Sequence, residues 1–208
     1  MTELLLFFLA LVAIYLAPGP DMILILGTTV SQGVRSAIAT AVGLAVARSL
    51  HVLLAAVGLA ALFESQPWAY HTVRLSGAAY LIYLGWQFFR KAGDLPAQST
   101  GATVGSVSRG YLPALHRGLA TNLLNPKSLI FCSVLLPQFI NPELSGVASQ
   151  FAILALVLVL TGFAFDIGYA LMGRWLWALP AENSRYQRAQ NNLFALLMMG
   201  IGLKVAFS

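Results

Sequence analysis

The sequence predicts an all-α polytopic membrane protein, with six transmembrane helices arranged as two inverted three-helix repeats and with the first and fourth helices broken at proline. Three observations predict it. The chain of 208 residues is 59% hydrophobic and only 9% charged, with a mean hydropathy of +0.79, whereas a soluble domain carries roughly 25% charged residues. Six apolar stretches approach the roughly 20 residues that a helix needs to span the hydrocarbon core. Two of them are interrupted by proline at corresponding places in the two halves of the chain.

The stretches are 4–26, 37–63, 68–89, 119–140, 150–172 and 191–207. The first is preceded by Glu3 and followed by Pro18-Gly19-Pro20, which is neither the basic flank nor the small-residue cleavage site of a signal peptide, so it reads as a retained span. Residues 90–116, rich in Gly, Ser, Thr and Pro, read as a polar loop joining two half-repeats, about 1–90 and 117–208, of a single transmembrane domain. Placing that loop in the cytoplasm puts Arg35, Arg90, Lys91, Arg109, Arg117, Arg174, Arg185 and Arg188 inside, and leaves Arg74 and Lys204 near the outer face with Glu3, Glu64 and Glu143. The positive-inside rule then sets both termini outside, in the inner membrane of a bacterial cell. Trp68, Tyr70, Trp86, Trp175 and Trp177 fall near span ends, as interfacial anchors do.

The net charge of +5 is spread among apolar runs without a basic stripe, which argues against nucleic acid as a partner. The one cysteine, Cys132, excludes an intramolecular disulfide and a thiolate metal cage, and reads as a small hydrophobe. Three scattered histidines make a poor soft-metal site. GxSxG and HExxH are both missing, so the chain reads as no enzyme and as needing no cofactor.

Four ionisable residues lie inside spans: Asp21, Arg48, Lys127 and Asp166. Each is unfavourable in hydrocarbon by about 2.5–3.5 kcal/mol on insertion scales. At 1.5 Å per residue, Asp21 and Asp166 lie about 10 Å from the cytoplasmic side, Lys127 about 12 Å and Arg48 about 16 Å. They share one layer and their charges cancel. Arg48 with Asp166 reads either as a structural ion pair or as part of a polar cavity on a substrate or proton path. His51, one turn from Arg48, reads either as a proton relay or as a buried histidine satisfied by a neighbour, and Tyr169 stands one turn from Asp166.

Asp21 and Lys127 adjoin the breaks. In Ala17-Pro18-Gly19-Pro20-Asp21 two prolines remove two backbone donors; in Asn122-Leu123-Leu124-Asn125-Pro126-Lys127, Pro126 frees the carbonyl of Asn122. Unpaired backbone at membrane depth persists only where protein or trapped water satisfies it. Each half reads as a broken helix, a long helix with one central charge, then a glycine-containing helix, with 136–147 as an insertion in the second. Three spans per half require inversion, and proline-interrupted spans in corresponding halves mark a transporter binding site. A zwitterion needs an anion site and a cation site: half-helix N-termini with Lys127 or Arg48 suit a carboxylate, and Asp21 or Asp166 with freed carbonyls suit an ammonium. Pairs such as Ala37/Ala41 and Ala56/Ala60 permit close helix contact, within a chain or in a homo-oligomer.

Three stretches resemble a known family. They are Pro18-Gly-Pro-Asp21 with Ser31-Gln-Gly-Val-Arg35, Gly77-Ala-Ala-Tyr-Leu-Ile-Tyr-Leu-Gly85, and Arg117-Gly-Leu-Ala-Thr-Asn-Leu-Leu-Asn-Pro-Lys-Ser128 through Leu136-Pro-Gln-Phe139. The chain resembles the lysine-exporter (LysE) superfamily and, within it, the homoserine/threonine-efflux (RhtB-type) branch. The resemblance implies export of amino acids or derivatives from the cytoplasm, driven by the proton gradient, with Pro18, Gly19, Pro20, Asp21, Asn125, Pro126 and Lys127 around the path; Asn122, one turn from Asn125, reads as lining the same face. Many relatives carry Gly-Asp where this chain has Ala47-Arg48. An exporter of metal ions or other small solutes is the alternative.

Overall fold

The computed structural model describes residues 2–16, 19–65, 67–90, 110–125, 128–129, 131–141, 146–177 and 184–207. The loop residues 91–109, together with Pro18, Pro126 and Lys127, lie outside the described residues, as do the side chains of Trp68, Tyr70 and Trp177. All regular structure among the described residues is helical: α1 (Thr2–Leu16), α2 (Pro20–Gln32), α3 (Val34–Ser65), α4 (Pro67–Arg90), α5 (Tyr111–Leu123), a π-helical turn Phe131–Leu135 running into a short turn Leu136–Gln138, α6 (Val147–Trp177) and α7 (Ser184–Phe207). Val34–Gly58 of α3 and Val147–Gly173 of α6 are each long and apolar enough to cross a membrane, and Glu3–Leu16 with Pro20–Gln32 makes a third crossing if the bent pair, inclined at 53°, is one span.

Local chemistry accounts for the interruptions. Gly19 caps α2 in an extended conformation, and Pro20 follows at the first helical position, where a missing N–H is no loss. The amide of Ile23 closes the first turn on the Gly19 carbonyl at 3.1 Å. Between α2 and α3 the chain turns at Gly33, whose φ of 86° is open to glycine at little strain. Pro137 cannot donate to the carbonyl of Ser133, and the backbone just before it widens into the π turn. Two helix starts differ from the sequence reading. Helix α7 begins at Ser184, ahead of the apolar stretch 191–207. Helix α5 begins at Tyr111, inside the stretch expected to be loop, because Ala114 and Gly118 give it a buried face against its neighbours.

Helix α3 is central, packing against α5, α6 and α2; α4 packs against α7, and α1 touches α6 and α7. Two buried apolar clusters flank a polar layer. The larger gathers Phe7, Leu11, Val52, Leu135, Leu158 and Met198, among others; the smaller gathers Ile25, Ala37, Ala41, Leu44 and Ala170. On α3, Arg48 lies between Leu44 and Val52, and on α6, Asp166 lies between Leu158 and Ala170. The polar residues are thus held between two dry layers. Outward, Leu53, Leu54, Val57, Leu156, Leu160 and Leu196 stand exposed, more apolar surface than a water-facing protein leaves uncovered.

Candidate functional site: a charge cluster beside the first helix break

The polar layer is built from four helices. Arg48 from α3 and Asp166 from α6 are each only 2% exposed. The Arg48 Nη2 donates to Asp166 Oδ2 at 3.1 Å, and the same nitrogen lies 3.8 Å from Oδ2 of Asp21 on α2. One guanidinium therefore faces two carboxylates. Arg48 also lies over the ring of Tyr15, 5.1 Å from its centroid, in cation–π geometry.

Asp21 is held from the other side as well. Asn122 Nδ2 donates to Asp21 Oδ2 at 2.6 Å and to Ser128 Oγ at 2.9 Å, while Asn125 Nδ2 donates to Asp21 Oδ1 at 3.1 Å. Asp21 stands in the first turn of α2, where the helix dipole favours a negative charge. The last turn of α5 and the residues just beyond it thus grip the carboxylate at the start of α2, joining the two proline-containing segments through side chains.

The Asn122 carbonyl, which Pro126 cannot bond, has two donors. The Asn125 amide reaches it at 3.1 Å and His51 Nε2 at 3.1 Å. A carbonyl only accepts, so Nε2 carries the proton in this contact. His51, 4% exposed, is therefore tied to the α5 terminus, and its Nδ1 has no partner among the described residues. Tyr169 donates to the Tyr15 carbonyl at 2.6 Å, fixing the last turn of α1 against α6. Tyr15 in turn donates to the Leu158 carbonyl at 3.4 Å, a long and weak bond.

These groups border a cavity of about 40 Å³, lined among others by Tyr15, Gly19, Asp21, Arg48, Asn125 and Asp166. Such a volume holds about three waters, and a whole amino acid enters only if the helices part. Of the residues that the sequence placed at the site, Gly19, Asp21, Asn122, Asn125, Arg48, His51 and Asp166 come together here, and Pro20 opens the helix that carries Asp21. Sequence reasoning missed Tyr15, Ser128 and Gly162. A Cβ on Gly162 would stand 2.5 Å from the Tyr15 hydroxyl and 2.7 Å from Arg48 Cζ, so the guanidinium rests where that side chain would be. The available signal was a glycine one turn before Asp166 on the same helix face. Among the described residues no three His, Cys, Asp or Glu side chains group as a metal site requires. Cys132 is buried and free.

The chain is similar to known proteins over nearly its whole length. The family model for LysE type translocators matches residues 12–208. A homoserine/homoserine lactone efflux protein of Salmonella typhimurium is 34% identical over 191 residues, covering 92% of this chain and 89% of that protein. An uncharacterized membrane protein of Vibrio cholerae is 30% identical over 206 residues, covering 96% and 94%. A leucine efflux protein of Enterobacter sp. is 28% identical over 197 residues, covering 93% and 90%. No solved structure matches the chain. With the match running from within α1 to the last residue, and with charges gathered between long apolar helices, the chain belongs to the LysE type translocator family.

Proposed function

We propose that this protein is a secondary active exporter that moves amino acids or their derivatives out of the cytoplasm in exchange for protons. Relatives named for the efflux of homoserine, homoserine lactone and leucine support the cargo class. The observation that carries the mechanism is that two carboxylates, Asp21 and Asp166, share the single guanidinium of Arg48. A carboxylate that shares its cation with a second acid takes a positive charge of its own, either the ammonium of the cargo or a proton. Exclusive occupancy by one or the other is what antiport needs, and intramembrane acids of this kind mark such paths.

Six spans in two inverted halves provide the alternation. Packing supports the reading: α3 lies on α5 as α6 lies on α2, and α4 lies on α7 across the same implied axis. Rocking one half against the other around Asp21 exposes the site to each side in turn. The distribution of basic residues supports an orientation with the stretch 91–109 in the cytoplasm and both termini outside, in the inner membrane. The larger apolar cluster, on the Val52 and Leu158 side of the charges, then closes the path to the outside. Pro18, Pro20 and Pro126 prevent continuous helices at this depth, and Lys127 supplies a further cation beside the second break.

Efflux from amino-acid-loaded cells tests the proposal. Overexpression of the protein accelerates loss of at least one amino acid; acceleration of none would refute export. Asp21→Asn and Lys127→Ala reduce that efflux by about tenfold or more, the ratio for loss of one charge-assisted bond. Unchanged efflux in both variants at equal expression would remove both residues from the mechanism.

A further inference from the structure

We propose that Arg48 is the carboxylate anchor of the cargo, and that it makes a free carboxylate a requirement for transport by this chain. The inference rests on the exporter reading above and narrows its substrate class to zwitterions. Arg48 is almost fully buried, borders the cavity, and keeps Nη1 without a partner among the described residues. A buried guanidinium nitrogen without an acceptor carries a desolvation penalty of about 1–3 kcal/mol or more. An anion in the cavity removes that penalty. Arg48 and Asp21 are 3.8 Å apart, against 3.1 Å for Arg48 and Asp166, so the contact with Asp21 is the weaker of the two.

A zwitterion inserted at the weaker contact meets a cation on one side and an anion on the other. Its carboxylate bridges Nη2, which faces Asp21, and the adjoining unpartnered Nη1 of Arg48. Its ammonium takes Asp21, which stays anchored by Asn122 and Asn125. Asp166 keeps its own bond to Arg48, so no charge is left bare and the net charge of the cluster does not change. A cargo with an ammonium but no carboxylate does something different. It draws Asp21 away from Arg48 and still leaves Nη1 unpaired. Sites built to bond a particular polar group reject analogues that lack it far more strongly than apolar pockets reject a missing methylene.

Gly162 is part of the same arrangement. The guanidinium and the Tyr15 hydroxyl both rest against it, in space that any side chain there would enter.

The test uses the full-length protein in proteoliposomes, with labelled leucine and leucinamide as one pair and homoserine and homoserine lactone as the other. The wild-type protein carries at least one of the free amino acids and carries its neutralised partner at about one-tenth of that rate or less, the ratio expected when a charge-assisted hydrogen bond is missing. Equal rates for acid and amide, or for acid and lactone, would overturn the carboxylate requirement and leave the exporter reading standing. If neither member of either pair moves, and no other amino acid moves, the exporter reading fails and this inference with it. Arg48→Lys, which keeps the cation and loses the second donor edge, raises KM for the free acid about tenfold. In the charge-matched pair Arg48→Gln with Asp166→Asn, residual transport no longer distinguishes leucine from leucinamide; retained discrimination would assign the carboxylate to another group.

Discussion

Two helix crossings in this protein use the same packing device and differ in what surrounds it. Where α3 meets α5, a Cβ on Gly43 would lie 2.8 Å from the Leu119 amide nitrogen, and one on Gly118 would lie 3.1 Å from that of Leu44. Where α4 meets α7, a Cβ on Gly85 would lie 2.7 Å from the Ala195 carbonyl, and one on Gly202 would lie 2.8 Å from that of Ala78. Both crossings bring backbone against backbone, which glycine permits and which drives helix association in lipid. At the first crossing Asn122 follows Gly118 by one turn, and Arg48 and His51 follow Gly43 by one to two turns. At the second, the buried neighbours are Ala78, Leu81, Ala195, Met198 and Ile201. Close approach is therefore a general means of holding helices together, and only the crossing that also carries amides and charges sets up a site.

The largest effect is expected at the charges themselves. Arg48→Met leaves two carboxylates without their cation and destabilises the protein by about 3–5 kcal/mol, read as a fall in the thermal midpoint of the detergent-purified protein. Adding Asp166→Leu recovers most of that loss; no recovery would mean that the two side chains are not energetically coupled.

The glycine crossings come next. Gly118→Ala and Gly202→Ala each force backbones apart and cost about 1–3 kcal/mol. The comparison predicts that they separate in function: export per folded molecule falls in Gly118→Ala, because Asn122 moves off Asp21, and holds in Gly202→Ala. Equal losses of export would break the distinction between a crossing that holds and a crossing that positions.

His51→Phe removes one of two donors to the Asn122 carbonyl and lowers stability by about 1 kcal/mol. Faster amide exchange confined to the end of α5 checks it. The smallest effect is expected at Trp175, which is 62% exposed. Trp175→Ala stays within about 0.5 kcal/mol of the parent.

Much of the site was legible before any packing was known. Asp21, Arg48 and Asp166 stand out as charges in apolar runs, and Pro18, Pro20 and Pro126 stand out as residues that no continuous helix tolerates. The freed carbonyl of Asn122 follows from Pro126 alone. Its donor, His51, does not, because the two are 71 residues apart and nothing local relates them. Tyr15 was invisible as a site residue for the same reason: an aromatic at the end of an apolar run reads as core or interface, and only the packing of α3 and α6 brings Arg48, Phe165 and Tyr169 around it. The start of α5 was misplaced by several residues because the stretch before it is polar on average, whereas the helix there needs only a narrow buried face.

By itself the sequence determined the apolar character of this protein, the charges set within its apolar runs and the places where proline interrupts its helices. Those properties depend on residue type and on neighbours along the chain: transfer free energy, rise per residue and the missing proline donor. Tertiary structure decided which charges meet. It set one guanidinium nitrogen between Asp166 and Asp21, turned two amides from the segment around the second proline onto Asp21, and rested Arg48 on a glycine of another helix. Coulomb and hydrogen-bond energies fall off within a few ångströms, so those decisions belong to the way α2, α3, α5 and α6 pack together.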